Sequence, residues 1–73
     1  MDKRSLSISG HRTSIALEPE FWAALEGMAA EGGLTMAALI RSIDANRQTA
    51  NLSSAARLAV LQWYQQQAQR SVS

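Results

Sequence analysis

Arg12 and Ser14 alternate with Thr13, Ile15 and Leu17 in the run Arg12-Thr13-Ser14-Ile15-Ala16-Leu17. In an extended segment, successive side chains point to opposite faces. Thr13, Ile15 and Leu17 can therefore be buried while Arg12, Ser14 and Ala16 remain outside, so the outward guanidinium and hydroxyl can meet a ligand. Catalytic chemistry has much less to work with. His11 is the only histidine and there is no cysteine, so no metal site is expected and His11 reads as a turn residue. Serines are plentiful, but no base is placed to activate one. Glu18, Glu20, Glu26 and Glu31 fall on the exposed face of a first helix, whereas a hydrolytic carboxylate pair needs a cleft. Gly32-Gly33 is a helix-ending pair rather than a phosphate loop. The chain is expected to bind rather than catalyse, with no catalytic residue, metal or cofactor.

The elements that would carry these residues follow from periodicity. Residues 12–17 form a short strand, favoured by its β-branched members. Glu18-Pro19 stops it and starts a helix, since proline at the first helical position loses no hydrogen bond. The glutamates at 18 and 20 complement the positive end of the helix dipole. Phe21, Leu25, Met28 and Ala29 form one apolar stripe, with Trp22 beside it to cover its edge or face a partner. Thr35 is placed to cap a second helix, whose stripe is Met36, Leu39, Ile40 and Ile43. Residues 44–51 read as a fraying end and a loop. Asn51 or Ser53 then caps a third helix, apolar nearly all the way round from Ala55 to Tyr64, which argues for burial on more than one side. Trp63 and Tyr64 read as core or interface residues. Residues 65–73 lose the apolar pattern and are expected to fray.

Residues 1–10 are read as either a flexible arm or an added edge strand. Leu6 and Ile8 alternate with serines in the parity opposite to Thr13, Ile15 and Leu17, so Ser9-Gly10 marks a turn, a bulge or a boundary.

Size points to association. A chain of 73 residues, 47% hydrophobic and without cysteine, makes a marginal monomer, and a lone strand leaves its backbone groups unsatisfied. A homodimer is expected, with Thr13, Ile15, Leu17, Phe21, Leu25, Leu39 and Ile43 in its core. Net charge is +1, unevenly spread. Lys3, Arg4 and Arg12 against Asp2 give +2 over residues 1–17, and the four glutamates give −4 over residues 18–35. Arg41, Arg47, Arg57 and Arg70 against Asp44 give +3 over the remainder. A basic first segment beside an acidic second one fits a molecule with one phosphate-facing side. No apolar run is long enough to span a membrane, and a cytoplasmic protein is expected.

A strand and two helices, with Gly33-Leu34-Thr35 before the second helix, resemble the ribbon-helix-helix family of DNA-binding proteins. The stretch His11-Arg-Thr-Ser-Ile-Ala-Leu-Glu-Pro-Glu-Phe-Trp22 and the later Asn51-Leu-Ser-Ser-Ala-Ala-Arg57 look like a bacterial branch with an additional C-terminal helix. The resemblance covers residues 3–64. It implies a mainly α fold with one short β-strand per chain, a β-α-α intertwined dimer over residues 11–64. It also implies a regulator of transcription that inserts a two-stranded antiparallel ribbon into the major groove of double-stranded DNA. Carried over by position, Arg12, Ser14 and Ala16 would face the bases, Ala16 through a thymine methyl. The backbone around Leu34, Thr35 and Met36 would hold a phosphate, aided by Lys3, Arg4 and His11 from the N-terminal segment. The rival reading is a protein-interaction module, antitoxin-like or an adaptor, that holds a protein partner through the apolar last helix.

Overall fold

The computed structural model describes residues 1–46 and 51–72, with the side chains of residues 1–46 and 51–69. Its elements run β1 (Asp2–Ile8), β2 (His11–Leu17), α1 (Pro19–Gly32), α2 (Met36–Asn46) and α3 (Leu52–Val72). A two-stranded antiparallel sheet is followed by three helices, the ribbon-helix-helix arrangement with one added helix.

The resemblance implied one strand per chain, but of the two readings of residues 1–10 the added strand is the one observed. The segment before Ser9 is a full strand, paired with β2 from Asp2↔Leu17 to Ile8↔His11. Ser9 and Gly10 both have positive φ, 53° and 82°, the type I′ geometry that matches the twist of a tight hairpin. A two-residue turn makes every even position of β1 face an odd position of β2. Leu6 and Ile8 therefore share a face with Thr13, Ile15 and Leu17, and their opposite parities are reconciled. The ribbon's first pairing lies within one chain, so β2 has a partner without a second subunit.

The core closes under the inner face of this hairpin. Ile8, Ile15 and Leu17 pack with Trp22, Leu25 and Ala29 of α1, Leu39 and Ile40 of α2, and Ala56 and Val60 of α3. Of the residues expected in a dimer core, Ile15, Leu17, Leu25 and Leu39 are already buried in the single chain, while Thr13, Phe21 and Ile43 are partly covered. Trp22 is not at the stripe's edge but fully enclosed, 1% exposed. Its indole N–H donates to the Asp2 carbonyl at 2.8 Å, which satisfies the one polar atom of a buried ring.

Helix ends follow local chemistry. Glu18 precedes Pro19, and its carbonyl accepts from the Phe21 and Trp22 N–H groups. Gly33 takes the left-handed conformation, φ 67°, and closes α1 as Gly33 and Leu34 donate to the Ala30 and Ala29 carbonyls, a double-bonded C-terminal cap. Asn51, rather than Ser53, caps α3, with its Oδ1 accepting from the Ser53 and Ser54 N–H groups. Residues 47–50 of the expected loop lie outside the described residues.

Two expectations for α3 change. The helix continues through Val72 instead of loosening at Gln65, because Gln and Ala favour helix without needing an apolar face. Burial covers one flank only: Ala55, Ala56 and Val60 are buried while Leu58, Leu61 and Tyr64 stay about half exposed. A single chain supplies neighbours for one side of this helix. No single helix among the described residues is long and apolar enough to cross a membrane.

Candidate nucleic-acid interface

The outer face of the hairpin carries three cross-strand pairs, Lys3↔Ala16, Ser5↔Ser14 and Ser7↔Arg12. Five of the six residues are exposed and Ala16 is half-buried. Arg12, Ser14 and Ala16 thus stand together on the open side of β2, as their parity predicts. The face holds two cations and no carboxylate, and a 3.2 Å hydrogen bond between the Ser5 and Ser14 hydroxyls crosses its middle. Each hydroxyl can still donate or accept once more.

Ser5 and Ser7 are residues that the sequence reading did not assign to the interface. Their signal was present in the alternation Ser5-Leu6-Ser7-Ile8, and it becomes decisive only once the Ser9-Gly10 turn is known to be two residues long. Lys3 also belongs to this outer face, beside Ala16, and not to a loose arm.

Arg4 is placed differently from the phosphate-contacting role expected for it. Its position opposite Ile15 turns it toward α1, where its guanidinium lies 4.5 Å from the Trp22 ring centroid and 3.0 Å from the Glu26 carboxylate. It forms part of the seal over Trp22 through a cation–π contact and a half-exposed ion pair. His11 is exposed at the hairpin's end, opposite Ile8.

The second part of the surface is the start of α2. The Thr35 hydroxyl accepts from the Ala38 N–H at 3.1 Å, and the Thr35 carbonyl accepts from Leu39. The Met36 and Ala37 N–H groups occupy the first turn, where a helix has no acceptor of its own. Leu34 is not an available donor, because its N–H is bonded to the Ala29 carbonyl at 2.8 Å in the α1 cap. Its side chain nevertheless remains exposed, and Met36 is half-buried against the core. A hollow of about 250 Å³ between this turn and the end of β1 is lined by Ser7, Ser9, Thr35, Ala37, Ala38 and Arg41. It gathers three hydroxyls, a helix N-terminus and one guanidinium. Arg41 was missed as a site residue because its proximity to Ser7 and Ser9 depends on how α2 docks beside β1.

The opposite end of the molecule is acidic and internally paired. Arg57 holds one Glu18 oxygen through two donors, at 2.9 and 3.1 Å, and lies 5.7 Å from the Phe21 ring centroid. The Glu18 carboxyl is held below its usual 4.5, first by a backbone N–H hydrogen bond within Glu18 and then by the Arg57 hydrogen bond. The outer ribbon face and the acidic α1 surface therefore differ in sign, which suits one-sided approach to a polyanion. Among the described residues, no group of three or more His, Asp or Glu is placed to hold a metal ion.

No curated protein and no solved structure matches the chain. A family model does: that of a ribbon-helix-helix domain matches residues 1–64, from Met1 ahead of β1 into α3. Such domains bind DNA as a family. With its hairpin, its two following helices and most of its length inside that match, the chain belongs to the ribbon-helix-helix domain family.

Proposed function

We propose that this protein is a homodimeric regulator of transcription that lays the outer face of its ribbon in the major groove of DNA. The observation that carries the reading is the carboxylate-free outer face, where Lys3, Ser5, Ser7, Arg12 and Ser14 stand exposed side by side.

The open edge of β2 supports the dimer. The closing pair of a two-residue hairpin exchanges both backbone hydrogen bonds, so the odd residues of β2 bond to β1. The N–H and C=O groups of Arg12, Ser14 and Ala16 then point to the far edge. An open strand edge is a template for pairing. Antiparallel pairing of two such edges about a two-fold axis at Ser14 sets Arg12 of each chain opposite Ala16 of the other. A cleft lined by Thr13, Ser14, Ile15, Asp44, Leu52 and Ser53 among others opens beside β2.

In that dimer the two β2 strands form the central ribbon, with Arg12 and Ser14 toward base edges and Ala16 toward a thymine methyl. The two β1 strands lie outside them. Three strand spacings separate these by about 14 Å, slightly more than a groove about 12 Å wide. Lys3 then meets the phosphate walls, and the hollow at Thr35 and Arg41 receives a phosphate at the α2 N-terminus.

The test is selection of bound duplexes from a random pool at moderate salt, with wild type and Arg12→Ala in parallel. A short two-fold-symmetric motif is expected, and Arg12→Ala should weaken binding to it by about 5- to 150-fold, the equivalent of one bidentate guanine contact. A folded protein that enriches no motif would overturn the proposal.

A further inference from the structure

The ribbon-helix-helix unit leaves one surface of the added helix unaccounted for. Along α3, Leu58, Leu61 and Tyr64 are 47%, 51% and 54% exposed. With Phe21 and Ala24 of α1 they line an apolar groove, bounded by Glu20 and by the stem of Arg57. Single exposed leucines need no explanation, but a contiguous apolar stripe marks an interaction surface.

Two properties of the stripe select its occupant. From Leu58 to Gln69 the helix carries no charged residue, although its outer side is exposed at Gln62, Gln65, Gln66 and Gln69. A surface helix ordinarily carries charge on its open face. Glutamine amides both donate and accept, so they can pair with their own copies, whereas a lysine or glutamate would meet its like across a two-fold axis. The apolar residues are also symmetric about Leu61, at three positions before and three after. Two antiparallel copies crossing at Leu61 place Leu58 on the copy's Tyr64, Leu61 on Leu61, and Arg57 beside the copy's Gln65. Residues three apart form a ridge inclined to the helix axis, so the helices cross rather than lie side by side.

We propose that the Leu58-Leu61-Tyr64 stripe is a second self-association surface, on which α3 of another copy docks about a two-fold axis at Leu61. It shares no residue with the open edge of β2. A protein that uses both surfaces assembles beyond the dimer, closing as a dimer of dimers where the two-fold axes of the two contacts meet, and brings more than one DNA-binding ribbon into one particle.

Sedimentation equilibrium of the full chain over a wide concentration range tests this, with three variants checked for unchanged helicity by circular dichroism. Leu61→Glu puts a charge on an exposed position and should weaken one association step at least about tenfold. Ser14→Pro removes an N–H from the β2 edge and should weaken the other step only. The double variant should be monomeric. If Leu61→Glu leaves the mass distribution unchanged, the stripe is not a self-association surface and the proposal falls. If Ser14→Pro alone has no effect, the strand-edge dimer falls while the α3 contact stands.

Discussion

The two faces of the hairpin have nearly the same backbone and opposite purposes. On the inner face, Ile8, Ile15 and Leu17 are 5%, 1% and 0% exposed and enclosed by three helices. On the outer face, Lys3, Ser5, Ser7, Arg12 and Ser14 are all exposed, with the Ser5 and Ser14 hydroxyls hydrogen-bonded to each other. The inner face holds the fold together through buried apolar area. The outer face adds little to stability and is free to specialise for a ligand. Substitutions on the two faces should therefore separate stability from binding.

Ile15→Asp should have the largest effect. Burying an unpaired carboxylate costs several kcal/mol, a large share of the total stability of a domain this small. The variant should lack cooperative thermal unfolding, and a normal melting curve would mean that the faces have been exchanged. Arg12→Ala should lose its DNA motif while its melting temperature stays within about a degree or two of wild type. Equal losses of stability and binding would erase the distinction between the faces.

Gly10→Ala probes the turn that sets which residues share a face. Nothing lies within 4 Å of a Cβ at this position, and its φ is 82°, so the cost is backbone strain alone. About 1–2 kcal/mol of stability should be lost, and DNA affinity should fall only as far as the folded fraction does. The smallest effect concerns the acidic end. The folded Glu18 carboxyl titrates below its unfolded value, so its pairing stabilises the protein above about pH 4.5. That contribution disappears as pH falls through the lower folded value. Melting curves of wild type and Glu18→Gln should differ at neutral pH and converge in acid. Constant separation down to the acid limit would show that Glu18 makes no pH-dependent contribution.

Much of the architecture was legible along the chain because it depends on local rules. The burial of Ile15 and Leu17 and the exposure of Arg12 and Ser14 follow from a period of two. The end of α1 at Gly33 follows from a residue that tolerates positive φ, and Thr35 as a cap follows from a hydroxyl before an apolar stripe. The hairpin was half-legible: the opposing parities of Leu6 and Thr13 were visible, but only a two-residue turn at Ser9-Gly10 resolves them. With that turn, the added strand replaces the flexible arm as the reading of residues 1–10, and Ser5 and Ser7 join Arg12 and Ser14.

Periodicity, turn residues and caps, all readable from neighbours in the chain, determined where strands and helices run and which β2 residues stay outside. Tertiary packing alone decided that Trp22 is enclosed rather than peripheral, that Arg4 covers it instead of facing outward, and that Arg41 stands beside Ser7 and Ser9. It also decided which flank of α3 is buried. A helix apolar on most sides offers several faces of similar hydrophobic gain, and the choice among them rests on where α1 and β2 leave space. Local hydrogen-bonding geometry is encoded by a few adjacent residues, whereas competition between faces is resolved only when the distant elements meet.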